Sequence, residues 1–135
     1  MTTLYHKIVV QAEPDRIWSL LTTRTGLEQW WPGHISTQAA DSWQFESEQQ
    51  EANMVFRVVE EETEKLLAWL CTQGENYWHN TLVYWRIEHI GDDKHLILEH
   101  RDLRETPEEL AALNTRWGVL MSRIALQLQE DRRLG

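Results

Sequence analysis

The chain has 135 residues, which predicts one domain over residues 1–135, since single folded units commonly run to about 100–150 residues. Its formal net charge of −9 argues against a nucleic-acid partner, because such proteins need cations to displace counterions from phosphates. A single cysteine excludes an intrachain disulfide and fits a reducing cytoplasm. No stretch approaches the roughly 20 apolar residues of a membrane span, so we expect no membrane segment.

A strand and two short helices are predicted first along the chain. Leu4–Gln11 alternates and is rich in β-branched residues, as a strand is. Pro14–Thr22 begins with a proline that suits the first helical turn and continues with apolar residues at helical spacing. Thr25 and Glu28 have the spacing of a capping box, so a second helix is predicted to begin at Thr25 and to end at Pro32.

An antiparallel meander is predicted for the middle of the chain. The hydrophobic period changes to two there, and short polar breaks separate the runs. Turns are predicted at Glu62-Thr63-Glu64, Gly74-Glu75-Asn76 and Gly91-Asp92-Asp93. The predicted strands are Ser42–Glu48, Asn53–Glu61, Lys65–Thr72, Asn80–Ile90 and Lys94–Arg101.

One long amphipathic helix is predicted last. Thr106, Pro107 and Glu109 combine an N-cap, a proline at the first helical position and the reciprocal carboxylate of a capping box. Apolar residues then recur at spacings of three and four over about 20 residues, which is roughly 30 Å of helix. The helix is therefore expected to lie against an apolar sheet. The stripe comprises Leu110, Leu113, Trp117, Leu120, Met121, Ile124 and Leu128.

This order of elements resembles the branch of the START/polyketide cyclase (SRPBCC) superfamily that contains homologues of the activator of heat-shock-protein-90 ATPase (AHSA-like). The resemblance covers nearly the whole chain. It implies an α+β helix-grip fold, in which a curved antiparallel sheet wraps the last helix, and a ligand cavity between the two. The matching segments are Ala12–Trp18, Gly26–Gly33, Trp43-x-Phe45, Trp69, Trp78-x-x-Thr81, His100-x-x-Leu103 and Trp117 with Leu120.

Candidate cavity residues follow from alternation along each strand and from the stripe of the last helix. We take the more apolar set of each strand as the inner face. Tryptophan is a poor space-filler because its indole N–H needs a partner when buried, so eight tryptophans are compatible with a lined cavity. For any single tryptophan, packing between helix and sheet is the more common role. Trp18 and Trp30 are interpreted as core or lid residues, and the Trp30-Trp31 pair could border the cavity mouth. The predicted ligand-binding residues are Met54, Phe56, Trp69, Val83, Trp85, His100, Trp117 and Met121.

His100 is the ionisable residue placed on an inner face, where it could bond a ligand oxygen, catalyse proton transfer or act as a satisfied core residue. Glu99 points to the other face and cannot orient it. We predict no catalytic residue, no cofactor and no metal, since His79, His89 and His95 lack ligand spacing. Cys71 is interpreted as a small buried hydrophobic residue.

Three functions are compatible with this pattern. The first is a cytoplasmic protein that binds a small apolar or aromatic ligand without established catalysis. The second is a cyclase-like or dehydratase-like enzyme that uses the same cavity. The third is a co-chaperone or interaction module acting through the acidic stretch Glu46–Glu64. A solvated edge that aids solubility is the more common explanation of such a stretch. A homodimer is compatible with all three.

Overall fold

The computed structural model describes residues 1–47, 53–74 and 78–134. Parts of one predicted strand, of the acidic stretch and of one predicted turn, namely Glu48, Glu51, Glu75 and Asn76, lie outside the described residues. The elements are β1 (Thr2–Val10), α1 (Pro14–Thr22), α2 (Arg24–Glu28), β2 (Gly33–Ala39), β3 (Ser42–Ser47), β4 (Met54–Glu62), β5 (Leu66–Gln73), β6 (Leu82–Ile90), β7 (Asp93–Leu103) and α3 (Pro107–Leu134).

The seven strands form one curved antiparallel sheet in the order β1-β7-β6-β5-β4-β3-β2. The first strand therefore pairs with the last strand, and the remaining strands follow as a meander. Helix α3 packs on the inner face of the sheet, and α1 and α2 fill the rest of that side. The predicted α+β helix-grip architecture is confirmed.

The alternation of residues along the strands placed the inner face correctly. On β7, Leu96, Leu98 and His100 are fully buried, and on β6 Val83 and Trp85 are at most 1% exposed. These residues meet the buried stripe of α3, because side chains two positions apart on a strand share a face. The interior thus lies between the predicted sheet face and the predicted helix stripe.

The structure differs from the sequence analysis at two places in the first half of the chain. The segment Gly33–Ala39, for which no element was predicted, forms edge strand β2, which pairs with β3 from Gly33 opposite Ser47 onward. It carries one large apolar residue, Ile35, so alternation gave too weak a signal. The N-cap of helix α2 lies two residues earlier than predicted, because the Thr23 side chain, not that of Thr25, accepts from the Gly26 backbone N–H. The helix also ends earlier than predicted, at Glu28 and not at Pro32.

Helix α3 is held at both ends. At its start, the Thr106 backbone N–H donates to the Glu109 carboxylate at 2.9 Å, and the Glu109 N–H donates to the Thr106 hydroxyl at 3.3 Å, so the predicted capping box is present. Further along, the Arg123 Nε donates to the Trp30 carbonyl at 2.7 Å. Near its end, Asp131 forms an ion pair with Arg16 of α1.

Candidate functional site

Five aromatic rings form a closed loop in the interior. Each ring contacts the next, with neighbouring centroids 5.4–6.2 Å apart, and the loop joins strands β4, β5 and β6 to helix α3. Most of the contacts are edge-on or tilted, the arrangement that aromatic quadrupoles favour. We call these rings the aromatic loop. Its members, in order, are Phe56, Trp69, Trp85, Trp117 and Trp78.

His100 connects the Trp117 side of the aromatic loop to Thr81 and Trp78 through a chain of hydrogen bonds. The Trp117 indole N–H donates to His100 Nδ1 at 3.0 Å, so the proton of the neutral ring is on Nε2, which donates to the Thr81 hydroxyl at 2.9 Å. That hydroxyl donates to the Trp78 carbonyl at 2.6 Å. Both ring nitrogens of His100 are therefore bonded to protein groups.

The surroundings of His100 keep it neutral. Its side chain is fully buried and its ring lies 4.7 Å from that of Trp78 and 5.8 Å from that of Trp117. Burial lowers the pKa of His100 to about 3, because the charged form loses its hydration. A base with this pKa is a weak proton acceptor at neutral pH.

Trp69 and Trp85 differ from the other indoles of the interior. Each is 1% exposed, their rings are 5.5 Å apart, and neither indole N–H has a hydrogen-bond partner. In contrast, the Trp30 N–H donates to the Leu20 carbonyl at 2.7 Å and the Trp31 N–H to the Glu46 carbonyl at 3.1 Å. This side of the aromatic loop therefore holds two buried N–H donors that have no acceptor among the described residues.

A cleft of about 180 Å³ opens beside the aromatic loop. Its walls are Trp78 and four α3 residues, Glu109, Ala112, Leu113 and Arg116. Trp78 is positioned by a turn in which Asn80 adopts a φ of 67° and the Thr81 N–H donates to the Trp78 carbonyl. Asparagine tolerates this left-handed conformation better than most residues. The cleft and the interior thus share the Trp78 ring.

The predicted site residues come together in the interior, although their contact with a ligand stays a prediction. Each of them is at most 4% exposed. The predicted ligand-binding residues did not include Trp78 or Arg116. The Trp78-x-x-Thr81 match could have pointed to Trp78, whereas Arg116 lies just off the apolar stripe of α3. The predicted residues are Met54, Phe56, Trp69, Val83, Trp85, His100, Trp117 and Met121.

Other chemically interesting residues lie apart from this site. Burial raises the pKa of the Cys71 thiol to about 12, so it is protonated at neutral pH. Glu99 is buried on the opposite face of the sheet, where it pairs with Arg101 at 2.9 Å and Arg86 at 3.6 Å. Within the described ranges, no group of three or more His, Cys, Asp or Glu side chains is placed to hold a metal ion.

The acidic stretch is exposed only in part, since Glu46 and Glu64 are half-buried. Glu60, Glu61 and Glu62 at the end of β4 face solvent. Lys65 reaches Glu62 at 3.6 Å, an exposed pair of small energetic value. A docking role for this surface stays a prediction. Across the part of the chain that the structure describes, no helix is long and apolar enough to cross a membrane.

Solved structures place this architecture in a known fold group. The chain is similar to Aha1 from Colwellia psychrerythraea, whose solution structure is a dimer, with 25% identity, a TM-score of 0.83, and 95% of this chain and 96% of that chain covered. It is also similar to CalU16 from Micromonospora echinospora, with 17% identity, a TM-score of 0.71 and coverage of 92% and 72%. DynU16, from the dynemicin biosynthetic locus, gives 20% identity, a TM-score of 0.75 and coverage of 94% and 47%.

The chain therefore has the helix-grip fold of the START/polyketide cyclase (SRPBCC) superfamily, and its structural resemblance to Aha1 is confirmed. No protein-family model and no curated protein sequence matches it.

Proposed function

We propose that this protein binds a small apolar or aromatic molecule between α3 and the sheet, and that the ligand presents an acceptor oxygen to Trp69 and Trp85. The observation that carries the proposal is the pair of buried, unpartnered indole N–H groups at these two positions. A carbonyl, hydroxyl or carboxylate oxygen placed between them would supply the missing acceptor.

The energetic argument rests on the cost of an unpaired donor. A buried N–H without an acceptor costs roughly 1–3 kcal/mol, and proteins pair the great majority of such groups. A ligand that supplies the acceptor recovers this free energy on binding. Because the rings of the aromatic loop contact one another, the ligand has to displace some of them as it binds. Its apolar body would contact Met54, Phe56, Val83, Trp117 and Met121, together with the ring carbons of His100.

Binding of a matched pair of probes tests this proposal. 2-Acetylnaphthalene carries an acceptor oxygen and 2-ethylnaphthalene does not, although the two have nearly the same shape. We expect the wild type to bind the ketone about fivefold more tightly, the equivalent of one net hydrogen bond of about 1 kcal/mol. Isothermal titration or quenching of tryptophan emission measures both affinities.

Three variants localise the acceptor site. Trp69→Phe and Trp85→Phe remove one donor each and keep an aromatic ring, so each is expected to reduce the preference for the ketone, and the double variant to remove it. Trp30→Phe is the control, because its N–H already donates to Leu20. A ketone preference that survives in the double variant would contradict the proposal.

We further propose that the protein is cytoplasmic and forms a homodimer. Support for the dimer comes from the dimeric Colwellia structure and from β1, an edge strand with Tyr5 and Val9 exposed at 64% and 54%. Sedimentation of the wild type and of Tyr5→Lys/Val9→Lys tests it. A wild type that sediments as a monomer at micromolar concentration would refute the dimer.

A further inference from the structure

Arg116 is the cation in the wall of the cleft. Its guanidinium carbon lies 5.6 Å from the ring centroid of Trp31 and 5.6 Å from that of Trp78, so two indoles flank it. The side chain is half-buried, at the boundary between the interior and solvent. Contacts with two aromatic faces restrict its position without using its N–H donors.

The N–H groups of Arg116 have no acceptor among the described residues. Most other arginines do have one: for example, Arg101 pairs with Glu99 and Arg24 with Glu28, while Arg104 donates to the His79 carbonyl. A half-buried guanidinium has lost part of its hydration, so an unpaired one favours an anion. The chain as a whole has a net charge of −9, so a cation without an acidic partner contrasts with its overall charge.

Among the described residues that line the cleft, the carboxylate is that of Glu109, and it is already hydrogen-bonded. Glu109 accepts from the Thr106 backbone N–H at 2.9 Å, and these hydrogen bonds lower its pKa. Arg116 lies seven positions further along α3, a rise of about 10 Å along the helix axis, and no ion pair joins Glu109 and Arg116. Arg116 therefore stays available at its own end of the cleft.

The apolar walls of the cleft complete the recognition pattern. Trp78, Ala112 and Leu113 offer an aromatic ring and two aliphatic side chains next to the cation. Trp78 also stacks on Trp117 at 5.9 Å, so a molecule that enters between these rings would reach the aromatic loop while one end stays at Arg116.

We propose that Arg116 binds the carboxylate of the ligand, which makes the ligand class an apolar or aromatic carboxylic acid. This inference rests on the proposed function, because it assigns the anionic end of the same ligand. The planar guanidinium can form two parallel hydrogen bonds to a carboxylate, whereas a neutral amide accepts at one oxygen.

The test compares 6-acetylnaphthalene-2-carboxylate with 6-acetylnaphthalene-2-carboxamide at pH 7 by isothermal titration. In both probes the acetyl oxygen is the acceptor for Trp69 and Trp85, and the group at the opposite end, which is placed to meet Arg116, differs in charge. We expect the wild type to bind the carboxylate at least about tenfold more tightly, as expected for charge-assisted hydrogen bonds. Arg116→Gln should remove this preference and leave the affinity for the carboxamide within about twofold.

Arg57→Gln is the matched control, since Arg57 is exposed on β4 and its loss changes the net charge equally. It should keep the full preference for the carboxylate. Arg116→Lys keeps the charge but cannot form the bidentate pair of hydrogen bonds. Its preference for the carboxylate over the carboxamide should therefore lie between those of the wild type and Arg116→Gln. Amide chemical shifts of Ala112 and Leu113 should move on addition of the carboxylate, and the thermal melting of each variant checks that it is folded.

The outcomes separate the two proposals. Equal binding of the two probes by the wild type overturns the role of Arg116 and leaves the proposed function standing. A preference for the carboxylate that persists in Arg116→Gln also overturns the role of Arg116, because another cation is then responsible. Loss of the preference in Arg57→Gln overturns it too, because the overall charge is then responsible. Failure of both probes to bind at millimolar concentration overturns both proposals.

Discussion

The two sides of the aromatic loop are equally buried, but their polar atoms differ in hydrogen bonding. On the side of Trp117 and Trp78, hydrogen bonds run from the Trp117 N–H through His100 and the Thr81 hydroxyl to the Trp78 carbonyl. On the opposite side, the indole N–H groups of Trp69 and Trp85 have no acceptor in the part of the chain that the structure describes. A satisfied network stabilises a fold, whereas an unsatisfied buried donor opposes it. The first region therefore contributes to stability, and the second is where we propose that the ligand binds.

The pH dependence of stability gives the largest expected difference between the two regions. The pKa of His100 falls from 6.5 to about 3 on folding, so the unfolded chain binds the extra proton between these values. Stability is therefore complete above about pH 6.5 and is lost as the pH falls towards 3, by roughly 1.4 kcal/mol per pH unit inside the window.

Urea unfolding of wild type and His100→Gln at pH 7, 6, 5 and 4 isolates this contribution, because carboxylates titrate similarly in both proteins. The wild type should lose roughly 2–3 kcal/mol more than the variant between pH 6 and pH 4. Parallel pH profiles would show that His100 is not held neutral by the fold.

Removal of the His100 nitrogens should produce the next largest effect. His100→Leu keeps apolar bulk but leaves the Trp117 N–H without its acceptor and the Thr81 hydroxyl without its donor. We expect a loss of about 2–3 kcal/mol in the free energy of unfolding at pH 7, measured with urea, with or without ligand. If stability were unchanged and only ligand affinity fell, His100 would be a binding residue instead.

A comparison of two tryptophans gives the smallest effect and the sharpest contrast. Trp30→Phe leaves the buried Leu20 carbonyl unpaired, whereas Trp85→Phe removes a donor that has no acceptor. The two substitutions remove a similar ring volume. The free energy of unfolding of Trp30→Phe should therefore be lower than that of Trp85→Phe by about 1–2 kcal/mol, measured by thermal or urea unfolding. Equal losses would mean that the Trp85 N–H has an acceptor in solution.

Much of the architecture could be predicted from local patterns. The alternation of β6 and β7 identified the inner face, since successive side chains of a strand point to opposite sides. The capping box at Thr106 located the start of α3, because it depends on two residues three positions apart. β2 escaped prediction because its partner strand and Ile35, rather than its own alternation, hold it in the sheet.

The sequence by itself determined which residues are buried together: the inner strand positions, the α3 stripe and the tryptophans among them. Only the tertiary structure decided which of their polar atoms are paired. Positions 30 and 85 are both buried tryptophans. The Trp30 N–H donates to the Leu20 carbonyl, whereas the Trp85 N–H has no acceptor within the described ranges. Burial follows from hydrophobicity and period, which are local, whereas a hydrogen bond needs a donor and an acceptor within about 3 Å, and these come from distant parts of the chain.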